Sequence, residues 1–232
     1  MKDLKKIVFL SGAGMSAESG ISTFRDSNGL WEEYDVMDVA SIDGWYKNPE
    51  LIQKFYNARR AQLAEVEPNE GHRIIAGLEQ DFQVTVVTQN VDNLHERAGS
   101  SNVIHLHGEL TKACNESKTK VYEIGTRAIL PGENAEDGSR LRPFIVWFGE
   151  AVPLIEKAAR IVSEADILVV IGTSLQVYPA AGLVHYASKG IPVYLIDPKE
   201  VSISDKVEII RETASKGMAV LKEKLLGVND AD

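Results

Sequence analysis

Short apolar runs rich in Val and Ile alternate along the chain with longer stretches of helical spacing. The runs predict strands over Lys6–Leu10, Val84–Thr88, Val103–Leu106, Ile145–Phe148, Ile167–Ile171 and Val193–Ile196. Several are apolar at consecutive positions, as strands covered on both faces must be. Helices are predicted over Pro49 to about Val66, Glu70–Glu79, Pro153–Ser163, Ala180–Lys189 and Ser215–Leu226. This alternation predicts an α/β protein: a Rossmann-like, doubly wound parallel sheet with a smaller inserted lobe.

Two stretches break the rhythm. Residues 25–67 read as a loop followed by an amphipathic helix, with no strand. Residues 108–142 are polar, with Gly125, Gly132 and Gly138 and few apolar anchors. Both are expected to form the small lobe. Residues 1–24, 68–107 and 143–232 are then expected to form the Rossmann-like portion.

Composition narrows the class. A chain of 232 residues, 44% hydrophobic and 25% charged, is ordinary for a globular protein. The balance of 25 Lys+Arg against 34 Asp+Glu gives a formal net charge of -9. Such a surface repels phosphate backbones, so no nucleic-acid partner is expected. Cys114 is the single cysteine, which excludes an internal disulfide and a zinc site built from several thiolates. The apolar run Ile7–Leu10 after Lys5-Lys6 is shorter than the roughly 7–15 apolar residues of a signal peptide. It reads as a buried strand. No window approaches the ~20 apolar residues of a membrane span, and the expectation is a cytoplasmic protein without a membrane partner.

Six segments carry candidate chemistry. Gly12-Ala13-Gly14-Met15-Ser16-Ala17 follows a predicted strand and fits a phosphate-binding glycine turn. A plain strand–turn–helix corner is the alternative. A dehydrogenase also needs an acidic residue ~20 positions on, at a strand end; Asp26 follows no strand pattern, which disfavours hydride transfer. Thr88-Gln89-Asn90-Val91-Asp92-Asn93-Leu94-His95 places amides and a carboxylate at a strand end, where α/β sheets bind ligands. Otherwise Asp92 or Asn93 is simply a helix N-cap. His105 and His107 would share a face of a continuing strand, so they read as an acid–base group or a metal pair, with His107 favoured as the acid–base residue and an ordinary hydrogen-bonded histidine as the alternative. Gly172-Thr173-Ser174 and Asp197 end two further strands and suit phosphate or ribose contacts, or are ordinary turns. Tyr56 and Arg59, three apart on the Pro49–Val66 helix, share a face and could read a carboxylate. In the alternative reading Tyr56 is a core aromatic and Arg59 and Arg60 are solvated charges.

Taken in order, these segments resemble the sirtuin family of NAD-dependent protein-lysine deacylases. The likeness rests on Gly12-Ala13-Gly14-Met15-Ser16-Ala17-Glu18-Ser19-Gly20-Ile21, Thr23-Phe24-Arg25 with Gly29-Leu30-Trp31, and Thr88 to His95. It continues through His107-Gly108, Leu141-Arg142-Pro143, Trp147-Phe148-Gly149-Glu150 and Gly172-Thr173-Ser174. Phe55-Tyr56-Asn57-Ala58-Arg59-Arg60 looks like the segment of the class III branch, whose Tyr-x-x-Arg pair reads succinyl or malonyl groups. Family members usually carry two cysteine pairs that hold a structural zinc. Here Cys114 takes the first position, Ser117 stands at its partner's, and the second pair is missing. No zinc is therefore expected.

The resemblance implies that NAD is the cofactor and that acyl-lysine proteins or peptides are the partners. Gly12, Ala13, Gly14, Ser16 and Gly172–Ser174 would surround its phosphates and adenosine side, and Gln89 a ribose. Asn90 and Asp92 would orient the nicotinamide end, with Phe24 shielding the reacting carbon. Glu18, Arg25, Trp31, Val91, Asp197 and Ala214 complete the implied cofactor contacts, although Asp197 stands where the family often has Asn. The acyl oxygen would attack the sugar carbon as nicotinamide leaves, with His107 as general base and Asn90 beside it. The products would be nicotinamide, free lysine and acyl-ADP-ribose. The peptide would lie as an added strand between Phe148-Gly149-Glu150 and Leu175–Val177. A non-catalytic NAD or ADP-ribose binding module, and an NAD hydrolase or ADP-ribosyltransferase, are the competing readings.

Overall fold

A computed structural model describes residues 4–21, 34–201 and 207–227. The first predicted strand is β1 (Lys6–Ser11), followed by a single helical turn, α1 (Gly14–Ala17). Three helices then run without a strand: α2 (Val36–Val39), α3 (Ile42–Lys47) and the long α4 (Pro49–Glu65). The chain continues through α5 (Glu70–Gly77), β2 (Gln83–Thr88), α6 (Leu94–Arg97) and β3 (Val103–His105). Three strands follow, β4 (Gly108–Cys114), β5 (Val121–Glu123) and β6 (Arg142–Ile145). The last elements are α7 (Ile155–Ser163), β7 (Ile167–Ile171), β8 (Val193–Ile196), β9 (Glu208–Ile210) and α8 (Ala214–Leu226).

Six strands form a parallel sheet in the order β3-β2-β1-β7-β8-β9. The early run Lys6–Leu10 is thus a central strand. Its alternate residues feed two cores. Ile7 and Phe9 pack with Ile75, Met218 and Leu221 on one face. Val8 and Leu10 pack with Ala158, Val162 and Leu183 on the other. Strand order reverses between β1 and β7, so the crevice beyond their carboxyl ends is the switch point where such sheets bind ligands.

The second sheet is antiparallel, in the order β5-β4-β6. Here the structure corrects three expectations. The predicted strand Ile145–Phe148 is displaced to Arg142–Ile145, and it pairs with β4 in this small sheet. The polar stretch 108–142 contains two strands that hydrophobic patterning does not reveal. Their alternation is masked by charged residues such as Lys112 and Glu123, which pair with each other at 3.4 Å. The predicted helix Ala180–Lys189 is a 3₁₀ segment, Ala180–Tyr186; its central Gly182 weakens a helix in a run this short.

The helices α2–α4 pack with β4 and β6 around Trp45, Ile52, Phe55, Tyr56, Leu63, Leu110 and Trp147. The Asn48 side chain caps α4 by accepting from Leu51 N, and Pro49 fills its first turn. No helix among the described residues is long and apolar enough to cross a membrane.

Candidate active site at the sheet's switch point

Two loops meet at the crevice. Gly12 N donates to Ile171 O at 3.0 Å, and Gly14 N donates to Gly172 O at 2.8 Å. Gly172 adopts φ +61°, and a Cβ there would fall 2.2 Å from Met15 N. No other residue type fits this approach. The amides expected to face a pyrophosphate are largely committed inside the protein. Met15 N bonds Gly12 O and Ser16 N bonds Ala13 O, at 2.9 and 3.1 Å. The glycines therefore serve close packing of the β1 and β7 loops.

The β2 loop adds the polar groups. Asn90 Nδ2 donates to Gly12 O at 3.0 Å and to Ser16 Oγ at 3.1 Å. Ser16 Oγ donates in turn to Asp92 Oδ2 at 2.9 Å. Asp92 Oδ1 accepts from Leu94 N at 3.1 Å, so Asp92 supports the start of α6 as well. Burial raises the Asp92 carboxyl pKa, against the bonds from Leu94 N and Ser16. Gln89 Nε2 donates to Thr173 Oγ1 at 3.3 Å, joining the β2 and β7 ends. Val91 packs against the helical core, and its carbonyl accepts from Leu110 N at 2.7 Å.

The two histidines separate. Strand β3 ends at His105, so the alternation assumed for a longer strand stops there. His107 Nδ1 donates to Gln89 O at 3.1 Å, and among the described residues its Nε2 has no hydrogen-bond partner. Burial lowers its pKa, partly opposed by the Gln89 bond. The ring is therefore neutral at neutral pH with a proton-accepting nitrogen. His105 is buried; Nδ1 lies 2.9 Å from Asn90 O and Nε2 2.7 Å from Glu96 Oε1. Burial pulls its pKa down, but the Glu96 bond and charge leave it raised overall. Both ring nitrogens thus donate, and the metal-pair alternative fails. Gly108 follows at φ +82°, where a Cβ would lie 2.0 Å from Phe144 O.

Other expected contacts take different places. Glu18 Oε2 accepts from Ser215 N at 2.8 Å, tying α1 to the start of α8 beside buried Ala214. Asp197 Oδ1 accepts from Lys199 N at 2.8 Å, turning the chain after β8. Ser174 is half-buried on the β7 turn. Phe24, Arg25 and Trp31 lie outside the described residues.

On the acyl side, Tyr56 is buried and its hydroxyl accepts from Trp147 Nε1 at 3.0 Å. Burial raises the phenol pKa, opposed by the nearby Arg59 charge. Arg59 is half-buried on the same helix face, with its guanidinium 5.9 Å from the Phe55 ring centroid. Burial lowers its pKa, while the charges of Tyr56 and Asp92 oppose the shift. Arg59 therefore lies in electrostatic reach of the Asp92 end of the crevice. Arg60 is not a solvated charge. It is fully buried, donates to Asn57 Oδ1 at 2.6 Å, and burial lowers its pKa to about 10.

At the peptide side, Phe148 is exposed, but its backbone is already bridged. Its N–H donates to Ala40 O at 2.9 Å, and its carbonyl accepts from Ile42 N at 3.0 Å. Gly149 adopts φ +88° against Ile42. Val177 O accepts from Ala181 N at 2.9 Å. The Glu150 carboxylate faces inward, bonded to Arg142 and Lys118, and its N–H donates to Trp147 O at 3.0 Å, so only its carbonyl is left for a peptide.

The donors around Cys114 do not fit a closed tetrahedral zinc site. The thiol is buried 3.9 Å from Pro143 O, and burial pushes its pKa up to about 11. Ser117 and Asp137 are both engaged by Asn115.

Sequence reasoning passed over several residues that build the site. Glu96 and Asn69 are the clearest. Asn69 Nδ2 holds Met15 O at 2.8 Å, and its Oδ1 accepts from His72 N at 3.4 Å. An N-cap pattern ahead of α5 was the available signal. Nothing local marks Glu96 as the partner of His105.

An α/β switch-point crevice lined with amides, hydroxyls and a carboxylate, beside a neutral imidazole, defines a nucleotide-binding protein equipped for acid–base chemistry. The Sir2 family model matches residues 12–179, and the chain belongs to the Sir2 family. It is 56% identical over 236 residues to the NAD-dependent protein deacylase of Bacteroides thetaiotaomicron, covering 96% of this chain and 99% of that one. It is 52% identical over 225 residues to a Helicobacter pylori protein of the same name, covering 96% and 98%. Among solved structures, a Sir2 homologue mutant in complex with ADP-ribose superposes with a TM-score of 0.89 at 36% identity, covering 99% and 96%. A Sir2 homologue–NAD complex superposes at 0.88 and 38% identity, covering 97% and 91%.

Proposed function

We propose that this chain is an NAD-dependent protein-lysine deacylase. It removes acetyl groups and, through Tyr56 and Arg59, acidic acyl groups such as succinyl and malonyl. The observation that carries the reading is the convergence of Asn90, Asp92 and His107 with the Gly172–Ser174 turn at one crevice, in a chain whose relatives bear the deacylase name.

The residues present fit NAD. Glycines 12, 14 and 172 let the β1 and β7 loops close-pack at the floor of the crevice, where a Cβ would clash with the opposite loop. Gln89, Thr173, Ser174 and Asp197 offer groups suited to ribose hydroxyls. Asn90 and Asp92 suit the carboxamide end. When bound, NAD supplies a glycosidic carbon that becomes electrophilic as nicotinamide departs. The protein's own part is positioning and proton handling. Asn90 is locked by Gly12 O and Ser16, so little reorganisation is needed. His107 is held in one tautomer by Gln89 O and takes a proton at Nε2 from a substrate hydroxyl.

Arg59 keeps its charge despite burial and presents a planar fork to a carboxylate. The neutral Tyr56 hydroxyl, already accepting from Trp147, has its proton to donate. Both lie on α4, within the 25–67 segment that, with 108–142, is assigned here to a separate lobe. A cytoplasmic location fits the single reduced cysteine.

The test is incubation with NAD and acetyl- or succinyl-lysine peptide. Nicotinamide should appear in proportion to peptide deacylated. Release without peptide would indicate an NAD hydrolase, and binding without turnover a non-catalytic module.

A further inference from the structure

The turn after Cys114 stands where the family's first cysteine pair would close a metal knuckle, and this chain builds a polar knot there. Asn115 Nδ2 lies 3.1, 2.9 and 2.7 Å from Ser117 Oγ, Thr119 Oγ1 and Asp137 Oδ2. Its Oδ1 accepts from Lys120 N at 2.9 Å. The turn so tied places Lys118 at φ +58°. A non-glycine residue holds that conformation where its surroundings over-determine it.

Those surroundings are specific. Lys118 Nζ donates to Glu150 Oε2 at 2.7 Å and to Ile145 O at 3.0 Å. The same Glu150 oxygen accepts from Arg142 Nη2 at 3.0 Å and from Trp147 N at 2.9 Å. Arg142 Nη1 completes the fork to Oε1 at 3.1 Å, and the guanidinium lies 3.8 Å from the Trp147 ring centroid. Trp147 Nε1 then donates to Tyr56 OH. An unbroken series of contacts therefore runs from the knot to the phenol. The side chains of Lys118 and Glu150 are 24% and 14% exposed, which separates this pair from solvated surface bridges of little consequence.

We propose that Lys118 is a positioning residue for acyl recognition: its ammonium fixes Glu150 and, through Arg142 and Trp147, the Tyr56 hydroxyl. The polar knot thereby does without metal what a closed knuckle would do, holding the lobe's turn against the substrate loop. The proposal rests on the acyl-reading role given to Tyr56 above.

The experiment compares Lys118→Met, Lys118→Arg, Tyr56→Phe and the Lys118→Met/Tyr56→Phe double variant. Each is assayed for kcat and KM on succinyl- and acetyl-lysine peptides, and each is melted to confirm folding. Lys118→Met should lower succinyl kcat/KM roughly tenfold, the size of one lost charge-assisted hydrogen bond, mainly through KM. Acetyl kcat/KM should fall much less, and Lys118→Arg should restore most of the loss. In the Tyr56→Phe background the same change should cost less than about twofold, because coupled residues are not additive. Additive losses, or equal losses on both peptides, would overturn the role of Lys118. If Lys118→Met melts below the assay temperature, Glu150→Gln decides: a loss confined to the succinyl peptide in a folded protein supports the proposal, and parent-like selectivity defeats it. The acyl-pocket reading fails separately, when Tyr56→Phe alone leaves the succinyl-to-acetyl ratio unchanged; that result ends both.

Discussion

The crevice between β1 and β7 and the knot around Asn115 are both polar, yet they are held in opposite ways. The crevice is made by backbone: two glycine loops bond directly, and side chains are set on a sheet whose strands are buried on both faces. The knot is made by side chains, with one asparagine engaging Ser117, Thr119 and Asp137 around a strained lysine. Only a small apolar cluster, Ala113, Ile124, Ile129, Ala135 and Leu141, lies beneath it. A backbone-built site tolerates polar substitutions but no added Cβ. A side-chain-built site has the reverse sensitivity.

The largest effect expected on the crevice side is catalytic. His107→Ala should lower kcat/KM by ~10²–10⁴-fold, the usual worth of a general base. ADP-ribose affinity by calorimetry should change little, and a matching loss of affinity would mean that His107 binds rather than catalyses. Gly172→Ala should destabilise by roughly 3 kcal/mol, from backbone strain plus a clash with Met15 N. Urea unfolding measures this, and a value near zero would remove the close-packing argument. On the lobe side, Arg59→Met should reduce desuccinylation about tenfold or more while deacetylation stays near the parent. Equal losses would defeat the carboxylate assignment. Asn115→Ala should cost about 1 kcal/mol, since its partners Ser117, Thr119 and Asp137 are exposed and can bond water instead. At this chain length that is a melting shift of about 2–4 °C per kcal/mol.

The smallest effects concern protons. Because burial lowers the His107 pKa, kcat/KM should rise with pH through a value below the ordinary histidine range and be flat at neutral pH. An acid limb centred at or above the ordinary value would contradict the half-buried, neutral ring. The His105–Glu96 pair behaves differently. Burial acts against both charges, yet the mutual bond raises the histidine and lowers the carboxylate. The histidine's contribution to stability is complete below its unfolded pKa and is lost as pH rises through its raised value. The carboxylate's contribution is present above its unfolded pKa and is lost as pH falls through its lowered value. The pair therefore stabilises most in mildly acidic solution, and Glu96→Gln should flatten that maximum in melts taken across pH.

Much of the crevice was legible along the chain. Glycines after a strand, amides at a strand end and a Gly-Thr-Ser turn all lie within a few residues of the element that positions them. The lobe was less legible. Its strands carry Lys112 and Glu123 beside short apolar stretches, so patterning returned only a polar insertion. The register of β6 was displaced because Arg142, fully buried over Trp147, reads as a surface charge when its partner is unknown.

The amino-acid order by itself determined the parallel α/β sheet, the strand ends that carry polar groups and the absence of a second cysteine. Each depends on periodicity or composition over a few neighbouring residues. Tertiary structure alone decided that Arg60 is buried, that His105 pairs with Glu96 while His107 bonds Gln89 O, and that Lys118 meets Glu150 across 32 positions. Such pairings depend on which charges are withdrawn from water together, and burial is a property of the packed molecule rather than of any segment.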